Sequence, residues 1–389
     1  MRRAGALALL LALAAAPAAR AQVRLRPGVT LRALEAAAAR DSNDPAALYD
    51  LALGYWSERR WDDADRALRT ALAIEPRNAS ALLALAHLPF ARRPRLWEEV
   101  DARRVPPAWR PAVDEWDRLT RLAFLVDPLV DLAIVGAVAP PDDPRPRDAS
   151  AATPFRTAMV ALANFRNGQY DQAYGWLDRL ARLLGEDEDS TSVPGLVLWY
   201  RGISAAHLND LPGAIRDLSR LEARPEREEG FWNGPDRAQV TYVLAWLEER
   251  AGRPAEARAH YQAALASDLG LWMAHVQLAR LHEQAAEWPE AIRERQLALE
   301  AGPDDPTLLL DLGTTLTLAG RAAEALAPLA RAAAGMPRNF RVPYYQGRAA
   351  QQLGRAAEAR EAYRRFLALV PSRYADQIAE VRRQLEQLP

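Results

Sequence analysis

The stretch Gly252–Ala257 reads Gly-Arg-Pro-Ala-Glu-Ala, and nearly the same six residues return at Gly320–Ala325 and Gly354–Ala359. A looser copy, Ala286–Ala291, stands between the first two. The alanines that end the four copies are 34 residues apart, and so are the prolines that follow the last three: Ala257, Ala291, Ala325 and Ala359; Pro303, Pro337 and Pro371. A fixed period of this length is typical of proteins in which one small helical unit is stacked repeatedly.

The same register fits residues 45–78. Counted from Pro45 as position 1, small and apolar residues recur at positions 4, 7, 8, 11, 20, 24 and 27, and a proline stands at position 32: Leu48, Leu51, Ala52, Tyr55, Ala64, Leu68, Ala71 and Pro76. Small residues at positions 8 and 20 allow two helices to cross closely. Proline at position 32 ends the second helix because it cannot donate a backbone hydrogen bond. The pattern predicts two antiparallel helices per unit.

This pattern resembles the tetratricopeptide repeat (TPR) over about residues 45–373, least clearly over 89–153. The resemblance implies an all-α fold, a right-handed α-solenoid of antiparallel helix pairs with about eight units, one of which carries an insertion. It is specific for the fold and says little about function, because one fold serves many functions.

Breaks in the repeat pattern divide the chain into segments. We expect, in order, a signal peptide (1–21), a tether and N-capping helix (22–44), N-terminal repeats (45–139) with an irregular insertion at about 89–110, a Pro/Asp-rich linker (140–153), middle repeats (154–237), four contiguous repeats (238–373) and a C-terminal capping helix (374–389).

The first 21 residues have the form of a bacterial secretory signal. Arg2 and Arg3 precede the apolar run 4–16, and 19–21 reads Ala-Arg-Ala, an A-x-A cleavage site. That run is shorter than the roughly 20 apolar residues that span a bilayer. We therefore expect export across the inner membrane, most simply to the periplasm. The alternative is an uncleaved anchor or a buried helix.

The composition excludes several classes of chemistry. The chain has no cysteine, all 50 of its basic residues are arginine, and its net charge is -1. Schiff-base and P-loop lysines, thiolate nucleophiles and cysteine-ligated zinc are therefore excluded. A charge near zero also argues against a nucleic-acid partner.

Three short stretches approach known catalytic or metal motifs without completing them. His282-Glu283 begins like a zinc-protease H-E-x-x-H, but Ala286 stands where the second histidine would be. Gly202–Ala206 lacks the last glycine of a G-x-S-x-G elbow and falls in a predicted helix. Asp187–Asp189 lacks the spacing of an EF-hand loop. We therefore predict no catalytic residue, no metal site and no cofactor.

The resemblance also implies a partner-binding groove, lined by positions 2, 5, 9, 12 and 13 of the first helix of each unit. Carried over by position, the candidate residues are Tyr242, Trp246, Arg250, Arg280, Arg341, Tyr344 and Arg348. Arginine forms bidentate bonds with carboxylates, and aromatic rings offer contact area at low entropic cost. The set favours an extended peptide that carries carboxylates. The alternative is a solvated surface with no binding role, since arginine is the chain's only basic residue and is expected on any exposed face. The set does not match the carboxylate clamp of chaperone-binding TPR domains, because Val276, Leu310 and Thr314 stand where that clamp would need other residues.

We predict an exported, non-enzymatic TPR scaffold that binds a protein or peptide in its concave groove, in the assembly or maintenance of a cell-envelope complex. One alternative is an envelope enzyme whose active site lies in the 89–153 insertion. Another is a membrane-peripheral assembly factor that docks through the apolar run 129–139.

Overall fold

The computed structural model describes residues 28–92, 107–130, 154–186, 193–224 and 235–389. The predictions that fall outside these ranges are the signal peptide (1–21), the linker (140–153), most of the insertion at 89–110, most of the apolar run 129–139 and the acidic stretch 187–189.

Eighteen α-helices and one 3-10 turn make up the regular structure of the described residues, which contain no strand. In chain order the helices are α1 (Leu31–Arg40), α2 (Pro45–Ser57), α3 (Trp61–Ile74), α4 (Ala79–Arg92), α5 (Arg110–Val126), α6 (Pro154–Arg166), α7 (Tyr170–Leu183), α8 (Gly195–His207), α9 (Leu211–Glu222), α10 (Arg237–Arg250), α11 (Pro254–Ser267), α12 (Trp272–Gln284), α13 (Trp288–Glu300), α14 (Pro306–Leu318), α15 (Ala322–Gly335), α16 (Arg341–Gln352), α17 (Ala356–Leu369) and α18 (Ala375–Gln387). Consecutive helices pack as pairs, from α2 with α3 to α16 with α17. The predicted all-α class of helix-pair repeats, as in an α-solenoid, is confirmed.

The described helices fall into two compact units. The middle unit comprises residues 82–268, and the terminal unit combines residues 28–81 with residues 269–389. The division at 268 lies between two repeats of the 34-residue pattern. Each unit is described by itself below.

The two helices of a pair touch where the repeat pattern places its smallest residues. At position 20 of seven units an alanine is fully buried: Ala64, Ala173, Ala214, Ala257, Ala291, Ala325 and Ala359. Two of the position-8 residues are Gly313 and Gly347. A Cβ atom added to Gly313 would lie 2.5 Å from Leu329 Cγ, and one added to Gly347 would lie 2.5 Å from the Tyr363 ring. The crossing therefore leaves no room for a methyl group at these two glycines.

Gly313→Ala is expected to lower the free energy of unfolding by about 1–3 kcal/mol, because the new methyl group overpacks the crossing against Leu329. Urea denaturation followed by circular dichroism measures the change. Gly175→Ala is the matched control, since a Cβ there meets no atom within 4 Å. It is expected to stabilise the helix interior by about 0.5–1 kcal/mol. A Gly313→Ala protein as stable as the parent would contradict the close crossing.

The turn inside each pair has one backbone conformation. Position 15 has a positive φ in seven units: Arg59 (57°), Gly168 (69°), Asn209 (62°), Gly252 (73°), Ala286 (56°), Gly320 (75°) and Gly354 (70°). A left-handed residue ends the first helix and reverses the chain. Glycine adopts this conformation freely, whereas alanine is strained in it.

Ala286→Gly is expected to stabilise the protein by about 0.5–1 kcal/mol, because relief of the left-handed strain exceeds the entropic cost of glycine. Gly320→Ala is the reciprocal variant, expected to destabilise by a similar amount, because a Cβ at Gly320 meets nothing within 4 Å and only the backbone is strained. Thermal unfolding of the two variants against the parent checks both signs. Shifts of the same sign would contradict the explanation.

Candidate partner-binding groove

The seven candidate residues divide between the two units. Three lie on α10 in the middle unit, and four lie on α12 and α16 in the terminal unit: Tyr242, Trp246 and Arg250; Arg280, Arg341, Tyr344 and Arg348. The two sets are therefore described separately.

On α10 the aromatic side chains are covered by the middle unit itself. Tyr242 is fully buried, and its hydroxyl donates a hydrogen bond of 2.5 Å to the carbonyl of Leu125. Its ring packs against Tyr261, with centroids 5.5 Å apart. Trp246 is 9% exposed, and the guanidinium of exposed Arg250 lies 4.8 Å from its ring centroid. A partner could contact Arg250, whereas the Tyr242 ring presents no surface.

On α16 the candidate side chains remain accessible. Arg341 is exposed, and Tyr344 and Arg348 are half-buried. The Arg348 guanidinium carbon lies 5.9 Å from the centroid of the Tyr344 ring, a cation–π arrangement. The Tyr344 hydroxyl lies 3.4 Å from Glu380 Oε2, and burial, with the charge of Glu380, raises the pKa of Tyr344. The phenol is therefore neutral at physiological pH and can donate a hydrogen bond.

The two arginines of α16 lie on one face of the helix. Arg341 and Arg348 are seven residues apart, which is close to two turns and a rise of about 10 Å. Within the described part of the chain, neither guanidinium has a carboxylate oxygen within 4.0 Å. This pair of positive charges, with Tyr344 between them, is the most accessible part of the predicted set in the terminal unit.

Helix α18 contributes neighbours that the sequence analysis missed. Gln351 donates to Gln384 (2.6 Å), and it accepts a hydrogen bond from the hydroxyl of Tyr363 (2.8 Å). Burial raises the pKa of Tyr363 to about 12. The 34-residue period could have indicated Gln384 and Glu380. The last repeat begins at residue 340, so residue 374 would begin another, and α18 takes the place of that repeat's first helix.

Arg280 on α12 is partly engaged inside the terminal unit. Its guanidinium donates to Gln277 Oε1 at 2.9 and 3.1 Å. Nearby, Arg295 donates to Glu283 Oε1 at 2.9 Å, and Thr315 also donates to that oxygen. Glu283 is therefore held within the repeats.

Asp311 is the carboxylate around which several arginines of the terminal unit gather. Burial alone would raise its pKa, but Arg77, Arg295 and Arg341 together hold the pKa below its ordinary value. The Arg77 guanidinium lies 2.6 Å from Asp311 Oδ2, and Arg295 lies 3.7 Å from the same oxygen. Arg341 contributes to this field from a longer distance.

A second ionic network stabilises the middle unit. Arg201 is 3% exposed and donates to Asp217 (2.6 Å) and Glu186 (2.7 Å). Its hydrogen bonds lower the pKa of Glu186 to about 2, with help from Arg220. The buried guanidinium of Arg201 therefore has a carboxylate partner on each side, which offsets the cost of burying its charge.

The incomplete catalytic motifs have structural partners. Ser204 is fully buried and donates to the carbonyl of Tyr200 (2.7 Å) in its own helix. His275 pairs with Glu294 (2.6 Å) and His282 with Glu287 (2.5 Å). No group of three or more histidine and carboxylate side chains with metal-binding geometry occurs in the ranges that the structure describes.

His87 in the middle unit is buried and uncharged. Its Nδ1 lies 2.8 Å from the carbonyl of Leu83, and its Nε2 accepts a hydrogen bond from the indole of Trp116 (3.1 Å). These two bonds fit the neutral tautomer with the proton on Nδ1. Burial lowers the pKa of His87 to about 4. Nothing in the repeat register indicated this group.

The stability of the middle unit is expected to fall as the pH drops from about 6.5 to 4. In this window the unfolded chain binds a proton at His87 and the folded chain does not, so unfolding is favoured by up to about 3 kcal/mol. Urea denaturation of the parent and of His87→Gln at pH 7 and pH 4.5 measures the pH-dependent contribution of His87 to the free energy of unfolding. Glutamine can form similar hydrogen bonds and does not titrate. Equal pH dependence in the two proteins would contradict the assignment.

Comparison with known proteins identifies the repeat. A family model described as tetratricopeptide repeat matches residues 201–270, and a second model of the same description matches residues 344–372. The chain therefore contains TPR repeats. No curated protein sequence matches it. Among the described helices, none is both long enough and apolar enough to cross a bilayer.

Several solved structures are similar in fold. The C-terminal part of a TPR repeat-containing protein from Cytophaga hutchinsonii is 15% identical, with 57% of this chain and 83% of that chain covered and a TM-score of 0.48. PilW, described as a widely conserved type IV pilus biogenesis factor, is 20% identical, with coverage of 55% and 92% and a TM-score of 0.41. MamA is 18% identical, with coverage of 46% and 96% and a TM-score of 0.38. Likeness at these scores carries no information on function.

Proposed function

We propose that this protein is a non-enzymatic TPR scaffold that binds an extended, carboxylate-bearing segment of a partner protein along α16. The observation that carries the proposal is the pair Arg341 and Arg348, which share one helix face with Tyr344 between them. Arg348 rests over the Tyr344 ring, which restrains the guanidinium before a partner arrives. Arg280 is a further candidate contact on the same unit.

The spacing of the two guanidiniums restricts the partner. Their separation along the helix is about 10 Å. A polyproline II segment has three residues per turn and rises about 3.1 Å per residue, so carboxylates three residues apart lie on one face about 9 Å apart. The geometry favours an acidic, proline-containing segment with this spacing. The Tyr344 hydroxyl donates to Glu380, so its oxygen can accept a hydrogen bond from a backbone N–H of the segment.

Fluorescence anisotropy with a labelled Glu-Pro-Pro-Glu peptide tests the site. We expect measurable binding at low salt and about tenfold weaker binding by Arg341→Ala plus Arg348→Ala, since each exposed charge pair contributes up to about 1 kcal/mol. A Gln-Pro-Pro-Gln peptide is expected to bind weakly to both proteins.

The matched control replaces Arg364 and Arg365, two exposed arginines on α17 of the same repeat. Arg364→Ala plus Arg365→Ala removes the same net charge and is expected to bind the acidic peptide nearly as well as the parent. An equal loss in both double variants would show a non-specific charge effect. Unchanged binding in the α16 variant would refute the site.

The proposal includes export to the periplasm and a role in a cell-envelope complex, supported by the Arg2-Arg3, apolar run and Ala-Arg-Ala pattern of residues 1–21. Tyr242 and Trp246 have no part in the proposed contact, because the middle unit covers them. The two alternatives, an enzyme site in 89–153 and membrane docking through 129–139, depend mainly on residues outside the described ranges.

A further inference from the structure

Residues from opposite ends of the sequence meet inside the terminal unit. The turn after α1 contacts the turns before α16 and after α17. Asn43 donates to the carbonyls of Arg338 (3.1 Å) and Leu369 (2.5 Å), and the Arg338 guanidinium donates to the carbonyl of Ser42 (2.7 Å). Asp41 accepts hydrogen bonds from the amide (2.8 Å) and hydroxyl (3.1 Å) of Ser372.

The turn after α3 forms a second group of contacts. The buried side chain of Asn339 donates to the carbonyl of Ile74 (2.8 Å). Arg77 forms its ion pair with Asp311 and lies 5.3 Å from the ring centroid of Trp272. Together with an ion pair between Arg373 and Asp44 (2.7 Å), these contacts attach residues 31–78, the N-terminal segment, to the last repeats.

Three apolar core clusters of the described residues of the terminal unit lie each on one side of these contacts. One cluster joins Ala38, Leu48, Leu51, Ala71 and Ile74 with Leu31, Leu34 and Tyr55, all within the N-terminal segment. Two other clusters of the terminal unit draw their members from residues 292–388. The contacts between the sides that are described above are hydrogen bonds, ion pairs and one cation–π contact. The contacts at the surface, between Asp41 and Ser372 and between Arg373 and Asp44, can exchange with water, which offers equivalent partners. Asn339 and the Arg77–Asp311 ion pair are largely buried.

We propose that the turn edge of the last repeats, formed by Asp311, Arg338, Asn339, Ser372 and Arg373, is a docking surface for the N-terminal segment, and that the segment docks on it reversibly. The surface is chemically complementary to the segment. The Asp311 carboxylate faces Arg77, the carbonyls of Arg338 and Leu369 face Asn43, and the amide of Ser372 faces Asp41. Docking and release occur as one step, because the two contact groups join the same pair of rigid helical elements.

The docking surface adjoins the proposed peptide site without depending on it. Asn339 Oδ1 accepts a hydrogen bond from the backbone N–H of Arg341 (2.9 Å), while the amide of the same side chain holds Ile74. Release of the N-terminal segment would therefore free the Asn339 side chain, which also bonds the first turn of α16. The test below uses no partner peptide, so its outcome is separate from that of the proposed function.

Hydrogen exchange of the full chain measures docking directly. The amide of Ser372 has Asp41 as its acceptor, so it is protected only in the docked state. Raising NaCl from 0.05 to 1 M is expected to speed exchange at Ser372 about twofold to fivefold, because it screens the Arg373–Asp44 ion pair, the more exposed of the two. The control is the amide of Gly354, which is bonded to Gln351 within the same repeat, and it is expected to stay protected.

A charge reversal tests whether the two contact groups act together. Arg77→Asp, remote from Ser372 in the other turn, places a carboxylate beside Asp311 and is expected to speed exchange at Ser372, whereas Arg77→Lys keeps the charge and is expected to retain most of the protection. Ser372 protection that is insensitive both to salt and to Arg77→Asp would overturn reversible docking. Acceleration at Gly354 to the same extent would also overturn it, since it would indicate general unfolding.

Discussion

The fold depends on the contact between position 8 of one helix and position 20 of the next. Seven fully buried alanines lie at position 20, and the position-8 glycines Gly313 and Gly347 closely approach the position-24 side chains of Leu329 and Tyr363. Larger apolar residues fill the grooves beside these contacts. Because the crossing recurs every 34 residues, it fixes the rotation of every first helix. At position 5, Tyr242 packs against Tyr261 and Tyr344 against Phe366 of the partner helix. Arg341 at position 2 is exposed and Arg348 at position 9 is half-buried, so the crossing is also what presents these two arginines.

Apolar side chains pack against one another within each repeat, and polar groups lie at the turns. In the terminal unit, Asn43, Asn339 and Ser372 use such groups to connect residues roughly 300 positions apart in the chain. The fully buried alanines supply apolar contacts within each repeat, whereas the contacts described between the N-terminal segment and the last repeats are polar. The two kinds of contact respond differently to salt and temperature.

The register predicted the fold well because the crossing is a local property. Ala257 and Ala291 could be assigned to a helix contact from spacing alone, and both are fully buried. The same register assigned Tyr242 to a groove. A repeat position predicts where a residue lies on its own helix, but not which other part of the chain packs over it. What covers Tyr242 is the end of α5, outside the regular pattern, through the carbonyl of Leu125. Likewise, no period links Arg77 to Asp311, because their pairing arises from the path of the whole chain.

Arginine has three different roles in this chain, and burial and partners separate them. Arg201 is buried and paired with the carboxylates of Glu186 and Asp217, so it connects these residues within the middle unit. Arg77 is largely buried and shares the carboxylate of Asp311 with Arg295, so it connects the N-terminal segment to the last repeats. Arg348 has a ring beneath it instead of a carboxylate, so its charge is restrained but uncompensated. An anionic partner gains most from a guanidinium of this third kind, because no internal ion pair must first be broken.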